Sequence, residues 1–122
     1  MSHKIMLVED DQPILELMEI LLTKIGYEPL IVPDVLEALD IVRNDPPALI
    51  LLDVMMMPMD GWEFLGKIRE EYRMKNLPVL LFTASPSVEE RIATMHDPFL
   101  GVLQKPVSIS DLKAGIGKFL GI

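Results

Sequence analysis

The chain has 122 residues, half of them hydrophobic and a quarter charged, with a net charge of −8 and no cysteine. That length and balance describe one globular domain with enough chain to bury a core, not a disordered polymer. The acidic surplus disfavours direct binding to nucleic acid or an anionic membrane, which needs clustered Lys and Arg, and the lack of cysteine excludes disulfides and thiolate metal sites.

The opening residues Met1-Ser2-His3-Lys4-Ile5 reach Glu9, Asp10 and Asp11 without an apolar signal-peptide core. No apolar run approaches the length of a membrane span. The protein is therefore expected to be soluble and cytoplasmic. Residues 1–122 are read as one domain, free of repeats and linkers, with no effector domain in this chain.

Lys4–Val8 is a short apolar run ended by acidic residues and predicts a first strand. Asp11 or Gln12 starts a helix, with Pro13 tolerated in the first turn. Ile14, Leu17, Met18, Leu21, Leu22 and Ile25 recur along it at helical spacing, and Gly26 stops it as a C′ residue. Tyr27–Val32 predicts a second strand, with Pro29 favouring a sheet edge. Pro33-Asp34 opens a second helix with Val35, Leu36, Leu39 and Val42 as its apolar stripe, closed by Asn44-Asp45-Pro46-Pro47.

Ala48–Asp53 is apolar until its last residue and reads as a strand buried on both faces. A Met-rich loop follows, in which Met56 is expected to be partly buried and Met57 exposed. Gly61 leads into a third helix carrying Phe64, Leu65, Ile68 and Tyr72, with Trp62 packed at its start. Val79–Phe82 predicts a fourth strand ending at Thr83-Ala84-Ser85. Ser87-Val88-Glu89-Glu90 reads as a capping box for a fourth helix that Asp97-Pro98 ends. Leu100–Gln104 predicts the fifth strand, ending at Lys105-Pro106. Ser108 with Asp111 caps a last helix whose Leu112, Ile116, Phe119 and Leu120 face inward. Gly115 and Gly117 each weaken that helix by about 1 kcal/mol relative to Ala.

Five strands alternating with five helices imply a parallel sheet with right-handed crossovers and helices on both faces. The predicted class is a three-layer α/β fold, a flavodoxin-like doubly wound sheet with strand order 2-1-3-4-5. That order sets strands one and three together at the switch point, where ligands bind. Glu9 and Asp10, Asp53, Thr83 and Lys105 then all fall at C-terminal strand ends. Three carboxylates in one cleft repel one another unless a cation is present. Mg²⁺ suits such oxygen ligands and keeps some of its waters. A metal and an ammonium together suit phosphoryl transfer, and a carboxylate can itself be the nucleophile.

Val8-Glu9-Asp10-Asp11, Leu52-Asp53-Val54-Met55-Met56 with Met59-Asp60-Gly61, Phe82-Thr83-Ala84 and Gln104-Lys105-Pro106 resemble, in order, the motifs of the receiver domains of two-component response regulators. The resemblance covers essentially the whole chain. It implies that Asp53 accepts a phosphoryl group from a histidine kinase or a histidine phosphotransfer protein. It implies Mg²⁺ ligands at Asp10 and Asp53, at Glu9 through water, and at the backbone carbonyl of Met55. Thr83 and Lys105 would bind phosphoryl oxygens, and Lys105-Pro106 would be a cis peptide. The surface formed by the fourth helix, fifth strand and fifth helix would switch toward a downstream protein. Such a domain is not a turnover enzyme, although it can slowly release its own phosphoryl group.

The chain departs from the family pattern at three places. Met57 stands where the family usually has proline, with Pro58 next, so a changed loop shape is expected with the site kept. Val102 stands where the family often has Tyr or Phe, so the usual coupling of the hydroxyl to an inward-turning ring has no ring to act on. Pro98-Phe99-Leu100-Gly101 replaces a small, acidic run. A hydrolase of the haloacid dehalogenase type is a competing reading, but it wants a second Asp where Met55 stands. A receiver fold used only for protein interaction is the alternative that Val102 leaves open. No Gly-rich phosphate loop supports nucleotide binding. His3 and His96 lack partners at ligand spacing and are expected at the surface.

Overall fold

The computed structural model describes residues 3–121, so the outermost residues of the predicted domain, 1, 2 and 122, lie outside it. The apolar runs form β1 (Lys4–Val8), β2 (Glu28–Val32), β3 (Leu49–Asp53), β4 (Val79–Thr83) and β5 (Leu100–Gln104). The amphipathic segments form α1 (Gln12–Ile25), α2 (Val35–Asn44), α3 (Gly61–Gly66), α4 (Ser87–Ala93) and α5 (Ile109–Leu120). A π-helical turn, Lys67–Glu71, continues α3. All strands pair in parallel in the order β2-β1-β3-β4-β5, as the alternating pattern predicts.

The pleat sends alternate residues of each strand to opposite faces. Met6, Val8, Ile50, Leu52, Val79, Leu81 and Leu100 join a core layer with α2, α3 and α4. Ile5, Leu7, Leu49, Leu51, Leu80, Phe82 and Leu103 join a second layer with α1 and α5. This parity has a consequence at the strand ends. Glu9, Asp53 and Lys105 continue the series that faces α1 and α5, whereas Thr83 and Val102 continue the series that faces α3 and α4.

Several local expectations need correction. Leu17 is 53% exposed and Leu36 51% exposed, so neither belongs to the buried stripe of its helix. Leu15, Met18 and Leu22 form the inner face of α1, and Val35, Ala38, Leu39 and Val42 that of α2. Both helices lie on a sheet that covers one side of them, so a residue one position off the stripe turns to solvent. Ser87 does not cap α4. Pro86 occupies the cap position with no side-chain bond, and the Ser87 hydroxyl pairs with the Ser85 hydroxyl at 2.8 Å. The helix also stops at Ala93, short of Asp97-Pro98. Asp11, Asp34, Asp60 and Ser108 do cap their helices through side-chain oxygens.

Arg69, in the π-helical turn, is buried and holds the lower edge of the sheet. Its Nε donates to Asp97 Oδ2 at 2.8 Å, and its Nη atoms donate to the carbonyls of Met74, Leu77 and Phe99 at 2.7 to 3.1 Å. One guanidinium thus ties together the segments leading into β4 and β5, and among the described residues no buried side-chain polar atom lacks a partner.

Candidate functional site

The register fixes where the polar strand ends meet. Val8 lies opposite Leu52, Asp53 opposite Phe82, and Thr83 opposite Gln104. The residues after β1, at the ends of β3 and β4, and after β5 therefore crowd one rim of the sheet. Glu9, Asp10 and Asp53 each offer a carboxylate oxygen, and these oxygens lie within 4.8 Å of one another. Glu9 is fully buried and Asp53 nearly so, while Asp10 is exposed.

Lys105 enters this group from the far side of β4. Its Nζ donates to Asp53 Oδ1 at 3.4 Å and to Glu9 Oε1 at 3.5 Å. The ammonium also sits 4.9 Å from the centroid of the Phe82 ring. The Lys105-Pro106 peptide is cis, as expected from the sequence, and so is Met57-Pro58. The Asp10 N–H donates to Glu9 Oε2 at 3.1 Å, and the Met55 N–H to Asp53 Oδ1 at 3.3 Å. Both carboxylates are thus oriented by backbone donors.

Burial first, then the hydrogen bond and the negative charge of Asp53, push the Glu9 carboxyl up from 4.5 to about 8; Lys105 and the Asp10 N–H act in the opposite direction. Burial and the neighbouring Asp53 carboxylate thus outweigh the opposing pull of the Lys105 ammonium at Glu9. The donor set suits a hard dication. Three carboxylate oxygens gathered within 4.8 Å of one another are close enough to serve a single Mg²⁺. The exposed flank at Asp10 leaves room for bound water.

Thr83 is nearly buried at the end of β4, and its Oγ1 accepts the Ser85 N–H at 3.0 Å. Among the described residues it makes no hydrogen bond to the carboxylates. Met55 and Met57 are 79% and 82% exposed beside the cluster, whereas Met56 is buried, so the Met-rich loop is split between core and surface. His3 and His96 are at the surface, as expected.

Two residues that stand in the sequence motifs without an assigned role also shape the site. Phe82 underlies the Lys105 ammonium. The signal was its parity, since it lies on the α1 and α5 face with Leu80, the face to which Leu103 and Lys105 also belong. Gly61 begins α3 directly against the Asp53 backbone. A Cβ there would stand 2.7 Å from the Asp53 carbonyl oxygen and 2.9 Å from Val54 Cα. Its N–H donates to the Val54 carbonyl at 2.9 Å. Asp60 and Glu63 close a capping box around it. The Met59-Asp60-Gly61 motif marks this glycine, but its spacing alone does not show the close approach to the Asp53 backbone.

The response regulator receiver domain family matches residues 5–117. Response regulator MprA of Mycobacterium bovis is 36% identical over 114 residues, which cover 93% of this chain and 49% of that protein. The chain therefore spans about half the length of the curated relatives it matches. Chemotaxis protein CheY4 of Vibrio cholerae superposes with a TM-score of 0.85 at 27% identity, over 98% of this chain and 99% of that one. The N-terminal domain of a response regulator receiver protein from Methanoculleus marisnigri is 32% identical with a TM-score of 0.77, over 98% of both chains. Family match, relatives and strand-end geometry agree, and the chain belongs to the response regulator receiver domain family of two-component signalling.

Proposed function

We propose that Asp53 accepts a phosphoryl group from the phosphohistidine of a sensor kinase or a histidine phosphotransfer protein. An Asp53 carboxylate oxygen attacks phosphorus, and the P–N bond to the donor imidazole breaks. The electron pair stays on the ring nitrogen, which then takes a proton. The product is an aspartyl phosphate.

The observation that carries this reading is a nearly buried carboxylate with an ammonium 3.4 Å from its Oδ1, inside a cluster of three carboxylates. Lys105 meets charge that develops on the phosphoryl oxygens, and the Thr83 hydroxyl donates to another of them. Glu9, Asp10, Asp53 and the Met55 carbonyl hold Mg²⁺, with Glu9 acting through water. When bound, the ion neutralises the carboxylates and the phosphoryl oxygens. The exposed thioethers of Met55 and Met57 form part of the surface that the donor meets. The output is a changed surface over α4, β5 and α5 that a downstream protein reads. Slow loss of the phosphoryl group resets the domain, which performs no turnover on free substrates.

Incubation with Mg²⁺ and a small acyl phosphate, followed by intact mass measurement, tests the reading. One added phosphoryl group is expected, and none for Asp53→Asn. Continuous phosphate release from generic phosphoesters would instead indicate a hydrolase, and an unchanged mass a binding module.

A further inference from the structure

We propose that in this chain the state of Asp53 is relayed to α4 through α3, by way of a stack between Trp62 and Arg91. The inference rests on the phosphoryl-acceptor reading and concerns how that site is read out. Val102, where a receiver often carries a ring, is aliphatic and, like Ile92, Met59 and Trp62, is a partly buried residue packed against the core layer of α2, α3 and α4. The ring-based coupling has nothing to act on here; besides the Thr83–Ser85 turn at the end of β4, the α3 side supplies a continuous set of contacts from Asp53 to α4.

It begins at Gly61, whose Cα is seated on the Asp53 and Val54 backbone so closely that even a methyl group is excluded. The Gly61 N–H bond to the Val54 carbonyl and the Asp60–Glu63 capping box lock the start of α3 to that backbone. A shift of the Asp53 loop is thereby passed to the first turn of α3. Trp62 is the next residue. The Arg91 guanidinium of α4 lies 3.9 Å from its ring centroid, close enough for a cation–π stack. Farther along, Arg69 ion-pairs with Asp97 just past α4, so α3 and its π-helical turn grip the α4 segment at two points.

Helix α4 is suited to respond. It has seven residues, of which Val88 alone is buried, and it lacks a side-chain cap. Beyond Val88, its contacts include the Glu89 carboxylate accepting from the Gln104 amide at 3.3 Å and the partly buried Ile92 against the core. An element held by so few buried groups lies at the low-stability end of a fold, where switching segments are found. Arg91 is exposed, so its replacement removes the stack without opening the core.

Trp62 is the sole tryptophan, so its emission reports this joint directly. The chain is phosphorylated with Mg²⁺ and acetyl phosphate, the added mass is verified, and Trp62 emission and amide hydrogen exchange over Ser87–Ala93 are recorded. Phosphorylation of the parent chain is expected to change both. Arg91→Ala is expected to gain the same mass yet lose at least half of the exchange change in α4. Arg91→Lys, which keeps a cation, is expected to restore part of it. A phosphorylated parent chain with unaltered Trp62 emission, or an Arg91→Ala chain with the full α4 response, overturns the relay alone. A parent chain that gains no phosphoryl mass overturns the acceptor reading and the relay with it.

Discussion

Glu9 is fully buried among carboxylates, with the Lys105 ammonium no nearer than 3.5 Å. Its carboxyl is pushed up to about 8, first by burial and then by Asp53. Between pH 4.5 and about 8 the folded, cation-free chain keeps a proton on Glu9 that the unfolded chain has released. Stability from this group is complete below pH 4.5 and is lost as pH rises toward 8. Chemical unfolding in the presence of a chelator should therefore show stability falling over that window, and Glu9→Gln should flatten the slope. An unchanged slope in that variant would assign the pH dependence elsewhere. Lys105 carries a separate expectation. On the proposed reading Lys105→Ala removes the donor that meets the developing phosphoryl charge, and loss of one such donor costs about 10²–10³ in rate. Phosphoryl uptake followed by mass should slow by about that factor, while Mg²⁺ binding followed by calorimetry should persist. The convergence of Glu9, Asp53 and Lys105 was legible because each stands at or just after the end of a predicted strand, with a charge that a buried edge would not otherwise tolerate. Phe82 was not, because a ring in an apolar run looks like core until the lysine above it is in place.

At the scale of elements, the helix caps were legible where a single Asp or Ser stands before an apolar periodic run, as at Asp34 and Ser108. The cap of α4 was misread because Ser87 and Glu90 have the right spacing, yet Pro86 sets the helix start one residue earlier and leaves Ser87 inside the first turn. The end of α4 was also misread. Asp97 looked like a stop signal, but its carboxylate is the partner of a buried arginine 28 residues away, and its other oxygen accepts the Phe99 N–H at 3.0 Å. Removing one partner of a buried ion pair leaves the other charge uncompensated, at a cost of roughly 3–5 kcal/mol. Asp97→Ala should lower the unfolding free energy by about that amount in a denaturant titration. A loss below about 1 kcal/mol would mean that the Met74, Leu77 and Phe99 carbonyls suffice for Arg69. The glycines of α5 tell a similar story. Gly115 reads as a weak point in a helix, but a Cβ there would meet Leu103 at 3.1 Å and Leu80 at 3.4 Å, so its absence lets α5 lie close on the sheet.

At the scale of the whole molecule, an acidic chain with a net charge of −8 gathers three carboxylates at one edge. A dication bound there binds the folded state and not the unfolded one. At 100-fold excess over its dissociation constant it adds about 2.7 kcal/mol of stability. Thermal unfolding should therefore shift upward with Mg²⁺, more at pH 8 than at pH 5, since Glu9 must give up its proton to share in binding. Equal shifts at both pH values would argue against Glu9 in the ligand set. No helix among the described residues is long and apolar enough to cross a membrane, in keeping with the hydropathy of the chain.

Apolar runs and helical periodicity determined the five strands, the five helices and their parallel, doubly wound packing, and the order 2-1-3-4-5 followed from setting strands one and three side by side at the switch point. Polar residues at the ends of four of the five apolar runs determined which side chains gather at one rim of the sheet. Only the tertiary structure decided how these parts touch: that Gly61 rests on the Asp53 backbone, that Arg69 reaches Asp97, and that Arg91 lies over Trp62. Those contacts join residues whose separations carry no period, so they exist only once the layers have packed.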